Sequence, residues 1–204
     1  LTSLSVVYAS KLLNLREFIS INEFTNNYLL SMIKELIIRD FFSFKGEHKI
    51  ELNSGVNILV GVNGSGKTSF LNAFTLLHEG IAGNGLSALF RQWGTYNAII
   101  NACGEQKPDC FSITYVFDAD VLKKIVPASP FKNDVYYKIT VFPIGDGTSY
   151  SLCETLYSED SRCKKKKFAY LEFRNGIGQI SVRKKSGTIE VEKYDGGMLS
   201  AQEL

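Results

Sequence analysis

Eight consecutive residues constrain this 204-residue chain more than the rest of it does. Gly61-Val62-Asn63-Gly64-Ser65-Gly66-Lys67-Thr68 fits the pattern GxxxxGK[ST] at every position, and that loop belongs between a strand and a helix. Both flanks have the required character. Val56-Asn57-Ile58-Leu59-Val60 follows the Ser54-Gly55 turn as a short apolar run, which predicts a fully buried strand. From Lys67 onward Phe70, Leu71, Phe74, Leu77 and Ile81 fall on one helical face, with Gly80 and Gly83 expected to end the helix.

The spacing has a chemical purpose. A triphosphate needs many donors converging on it, so the chain must wrap around it with successive backbone N–H groups pointing inward. Glycines at 61, 64 and 66 permit that wrapping and a close approach. The first turn of the following helix adds unpaired N–H groups and the positive end of its dipole. Lys67 is the residue expected to reach the β- and γ-phosphates, and the Thr68 hydroxyl to give one ligand to Mg²⁺, a cation that prefers hard oxygens. Asn63, Ser65 and Ser69 complete the candidate nucleotide contacts of this P-loop, or Walker A, motif. No NKxD guanine-reading motif is present, which favours ATP over a guanine nucleotide.

Around this motif the pattern changes twice. Residues 33–40 are rich in Ile and Leu, and after a turn Glu47, Lys49 and Glu51 alternate with His48, Ile50 and Leu52, which predicts a hairpin with His48 half-buried. Beyond Gly104 strand follows strand: 111–117, 135–142, 150–156, 168–173, 178–182 and 188–191, with Gly, Pro, Asn and Asp between them. The expected class is α/β. It comprises a P-loop NTPase N-lobe (hairpin, buried strand, Walker A loop, helix) over 32–105, then an antiparallel β-rich subdomain over 106–204. Residues 1–31, with a loose helical period from 12 to 30, read as an N-terminal extension, and Leu1 as a start that need not be native.

Composition excludes several classes. With 45% hydrophobic and 22% charged residues the chain is neither disordered, collagenous nor coiled coil. A net charge of +2 is too near neutral for binding nucleic acid or an anionic membrane over the whole surface. The uncharged run 52–66 holds four glycines and falls short of the roughly 18–20 apolar residues of a membrane span. The first ten residues lack the basic start of a secretory signal, so the cytoplasm is the default location and the membrane no partner. Cys103, Cys110, Cys153 and Cys163 match no zinc spacing and read as reduced thiols.

The parts that complete a hydrolase are missing from the sequence. The best candidate for a Walker B strand is Thr114-Tyr115-Val116-Phe117-Asp118, followed by Ala119 rather than Glu and lying in the antiparallel half. No LSGGQ signature occurs; Gly196-Gly197-Met198-Leu199-Ser200 has similar letters in another order.

The segment from Met32 to Ile81, with Leu36, Ile38, Phe41, Ser43 and Phe44 ahead of NILVGVNGSGKTSFLNAF, resembles the N-terminal lobe of ABC-type ATPase heads. These are the heads of SMC, RecF and OLD-like AAA-family ATPases of bacteria. The resemblance implies ATP and Mg²⁺ as ligands and a dimer of heads. It also implies that Walker B and the signature come later, so that the complete protein is an ATP hydrolase and these residues alone are not. By order in the chain it makes Gln92 the match to the Gln that contacts Mg²⁺ and the attacking water. It points to Arg39 and Lys45 as nucleotide contacts from the hairpin. A P-loop small-molecule kinase is the alternative enzyme reading, but no arginine-bearing lid or acceptor-binding Asp follows the helix.

Charge is uneven along the chain. Between Arg162 and Lys185 nine Lys or Arg face one acid, a local charge of +8 that leaves −6 on the remaining 180 residues. One reading is a lysine-rich loop that keeps an edge soluble. The other is a DNA or RNA contact, as in a nucleic-acid-binding module that uses ATP as a switch.

Overall fold

The computed structural model describes residues 32–81, 85–101, 107–125, 131–145, 147, 149–160, 163–183 and 188–195. Their strands form one eight-stranded antiparallel sheet. These are β1 (Ile33–Arg39), β2 (Glu47–Glu51), β3 (Phe111–Phe117), β4 (Val135–Ile144), β5 (Ser149–Asp160), β6 (Cys163–Arg174), β7 (Ile177–Arg183) and β8 (Ile189–Asp195). The spatial order β2-β1-β3-β4-β5-β6-β7-β8 departs from chain order only at the hairpin, because β1 pairs with both β2 and β3. The hairpin and the β-rich half are therefore continuous through the β1–β3 ladder.

The helices are α1 (Lys67–Thr75), a π-helix (Leu76–Ile81), α2 (Leu86–Trp93), α3 (Tyr96–Ile99) and α4 (Ala119–Ile125). Phe70, Ala73, Leu76 and Leu77 pack with Leu86, Leu89 and Phe90 and with the sheet residues Leu36, Ile38, Ile113, Tyr115, Ile139 and Val141 as one core. β3 lies between β1 and β4 and all seven of its residues are buried, so its apolar run is continuous rather than alternating.

Several sequence expectations are corrected. The run 56–60 is not a buried strand: Val56, Ile58 and Val60 are 83%, 81% and 89% exposed and no ladder reaches them. A strand buried on both faces needs neighbours on both edges, and the described residues offer 56–60 none. The helix after the loop does not bury the expected stripe, since Leu71 is exposed while Ala73 is buried. Nor does Gly80 end it: the α-helix gives way to the π-helix after Thr75, and Gly80 lies inside that wider turn. A Cβ at Gly80 would stand 2.6 Å from Leu86 Cδ2, so glycine is there for the close approach of α2. Finally, Lys164–Lys167 belong to β6 rather than to a loop. His48, expected to be half-buried, is exposed on the edge strand β2, where Ile50 alone is partly covered.

The loose helical period at 12–30 lies outside the described residues. No helix among the described residues is long and apolar enough to cross a membrane. Cys110 and Cys153 are free thiols, and burial pushes the Cys110 thiol pKa up.

Buried phenols make the fold sensitive to alkaline pH. Burial raises the pKa of Tyr115 well above its ordinary value of 10.0, and raises that of Tyr96 as well. The unfolded chain loses these protons near pH 10 while the folded chain keeps them. Stability from this source is therefore complete below about pH 10 and falls as pH rises beyond it. Urea midpoints from pH 8 to 11 should decline only in the upper part of that range, and less steeply in Tyr115→Phe; a flat profile would contradict the burial.

Candidate functional site

Two segments meet at the start of α1: the glycine loop and the turn that joins β1 to β2. The loop curls because its glycines let it. Gly64 (φ 84°) and Gly66 (φ 91°) hold left-handed backbone. A Cβ at Gly61 would lie only 2.5 Å from Ser65 Oγ, so the loop closes on itself at that point. Ser65 N–H donates to Val62 O at 3.2 Å, and Phe70 N–H donates to Gly66 O at 2.9 Å as the first α-helical bond.

Lys67 is drawn into the curl. Its ammonium donates to Gly61 O at 2.7 Å and Val62 O at 2.8 Å, with Ser65 Oγ at 3.4 Å. The charge thus stands over the loop rather than in open solvent. At its N-terminus α1 has no side-chain cap and no acidic residue in the first turn. Its first N–H groups and the positive end of its dipole are left for an external acceptor. Asn63 and Thr68 are exposed. These residues fit an anionic polyphosphate: loop and helix N–H groups, one ammonium, and at Thr68 one exposed hydroxyl. Mg²⁺ retains water and phosphate oxygens as most of its ligands, so a single protein oxygen is in keeping with it.

The turn braces the other side. Asp40 Oδ1 accepts from Gly46 N–H at 2.7 Å, and Asn101 donates from its backbone to Asp40 O at 2.9 Å and from Nδ2 to Phe42 O at 2.6 Å. At its tip Ser43 Oγ donates to Ser69 Oγ at 2.8 Å. Ser69 is thereby directed toward the turn.

The structure brings together Gly61, Gly64, Ser65, Gly66, Lys67 and Ser69, with Asn63 and Thr68 on the same stretch. Arg39 ends β1 and lies 3.4 Å from Asp40 Oδ2, and Lys45 is an exposed turn residue whose carbonyl lies 2.9 Å from His48 Nε2. Gln92 is exposed on α2, next to Trp93, whose ring packs on Phe41 and Phe42 of the turn. No described contact joins Arg39, Lys45 or Gln92 to the loop.

Asp118, the Walker B candidate, has another task. Its Oδ1 accepts from Asp120 N–H at 2.8 Å and Val121 N–H at 3.1 Å, which caps α4. In the basic stretch Lys167 Nζ sits 4.5 Å over the Tyr157 ring, while Arg162, Lys184 and Lys185 lie outside the described residues. Sequence reasoning missed Asp40 and Asn101. An Asp at the end of an apolar strand and ahead of a Gly, both residues favoured in turns, is the signal that could have found the first; nothing local marks Asn101.

A family model described as an AAA domain matches residues 35–190. No curated protein matches the chain closely enough to count as a relative.

Proposed function

Because that match spans most of its length, the chain belongs to the AAA domain family, and we propose that it binds ATP·Mg²⁺ through residues 61–68. In this reading it is the Walker A part of an ABC-type ATPase head, of the kind found in SMC and RecF-like proteins. The observation that carries the proposal is the curled loop with Lys67 held over it, leading into a helix N-terminus that has neither cap nor acid. A diffuse basic surface offers no such convergence of donors. Saturable, Mg²⁺-dependent binding of a fluorescent ATP analogue is the expected result; its absence would end the proposal.

Hydrolysis is assigned to the head completed by a further lobe and a second copy. Val56, Ile58, Val60 and Val62 support this, because four β-branched residues at 79–89% exposure call for a covering strand. Catalysis of phosphoryl transfer is mostly positioning and charge stabilisation. The Walker B candidate, Asp118, is committed to capping α4, and it lies beside Met32 at the start of β1, whereas the turn that meets the loop follows the end of that strand. These residues should bind ATP and stall. Phosphate release at the level of a buffer blank is expected, and turnover clearly above it in preparations free of contaminating ATPase would overturn this assignment.

Within the basic stretch, the seat of Lys167 on Tyr157 supports a strand-stabilising role for that residue.

A further inference from the structure

The turn between β1 and β2 is built against backbone preference. Asp40 (φ 53°) and Phe42 (φ 49°) are both left-handed without being glycine, a conformation that persists only where surrounding contacts over-determine it. Those contacts come from the turn itself and from the segment that ends α3. Asp40 holds Gly46 N–H, Asn101 holds the carbonyls of Asp40 and Phe42, and Phe42 N–H donates to Ile99 O at 2.6 Å. None of them involves Ser43. The turn is closed without it, yet the turn carries the Ser43 hydroxyl to the start of α1. There Ser43 Oγ donates to Ser69 Oγ at 2.8 Å, and Ser43 N–H reaches the same oxygen at 3.4 Å. A Cβ on Gly66 would stand 2.9 Å from Ser43 Oγ, so the contact also covers the last glycine of the loop.

We propose that Ser43 is a positioning residue for a magnesium nucleoside triphosphate: by holding Ser69, it fixes the roll of the first turn of α1. Thr68 precedes Ser69 in that turn, so the backbone that carries its hydroxyl is held by the same bond. The inference rests on the reading of residues 61–68 as an ATP·Mg²⁺ site. It assigns Ser43 to the metal-dependent part of affinity, because the loop N–H groups and Lys67 do not need Thr68 to hold phosphate.

The test titrates a fluorescent ATP analogue, with and without Mg²⁺, into the 204-residue chain and its variants, alongside thermal melts without nucleotide. Ser43→Ala should weaken binding in Mg²⁺ by about threefold to tenfold, the range of one neutral hydrogen bond. It should weaken Mg²⁺-free binding less and leave the melting temperature close to wild type. Ser43→Thr, which keeps the hydroxyl, should retain affinity. The double variant Ser43→Ala/Ser69→Ala should lose no more than Ser69→Ala alone, since both remove the same bond. Full affinity in Ser43→Ala, equal losses with and without Mg²⁺, or additive losses in the double variant would each overturn the inference. Lys67→Ala in the same titration separates the two ideas. If it binds as well as wild type, or if wild type binds nothing, the site itself fails and the inference fails with it. Binding that is lost in Lys67→Ala but untouched in Ser43→Ala sinks the inference alone.

Discussion

Lys67→Ala should weaken ATP binding by about 2–5 kcal/mol, the range for removing one partner of a desolvated charge pair, or roughly thirtyfold to several thousandfold. The ammonium is held over the loop by the Gly61 and Val62 carbonyls, which places the charge before a phosphate arrives and limits the ordering entropy left for binding. The same two bonds lie in an exposed loop, where water replaces them readily, so their loss should change the melting temperature little. Affinity and stability therefore separate in this variant. Lys67→Arg should restore only part of the binding, because a planar fork does not replace a compact point charge in a curl this tight. Titration of a fluorescent ATP analogue in Mg²⁺ measures all three proteins; wild-type affinity in Lys67→Ala would leave the loop without a phosphate role.

The strands were legible wherever the sheet itself supplies the neighbours. β3, β4 and β7 fall within two residues of their expected bounds, since β-branched and aromatic residues at period two, or in a continuous buried run, admit few other conformations. The run 56–60 carries the same signal and is exposed. Local pattern reports that a segment is fit to be a buried strand; burial itself depends on other strands, and none of those described pairs with it. α2 was legible and overlooked. Leu86, Leu89, Phe90 and Trp93 stand at helical spacing, and three of them are buried.

At the site the loop was readable residue by residue because each position has a backbone or charge requirement that few residue types meet. The brace was not. Asn101 reaches the turn from 59 residues beyond Phe42, and no periodicity encodes a contact of that range. Asp118 shows the converse. Its letters suit a Walker B strand, but the two N–H groups of α4 that follow it capture the carboxylate.

Phe111→Ala should destabilise the fold by about 3–5 kcal/mol. Phe111 is wholly buried at the start of β3. Its ring meets Phe41 at 5.2 Å, Tyr96 at 5.8 Å and Phe90 at 6.1 Å between centroids, so one side chain joins the turn, α3 and α2. Truncation leaves a cavity walled by rings from three separate elements, each fixed by its own backbone, and such a site collapses poorly. For a chain of this size the expected fall in melting temperature is about 6–20 °C. Phe111→Leu, which keeps most of the volume, should cost markedly less. Because Phe41 opens the turn that carries Ser43, nucleotide affinity should fall in Phe111→Ala as well, but only as the melting transition approaches the assay temperature. This order is the reverse of Lys67→Ala, where affinity goes and the fold stays. Thermal and urea unfolding of the two alanine variants side by side decide it, and a Phe111→Ala protein melting within about two degrees of wild type would mean that the turn and the two helices do not converge on this ring.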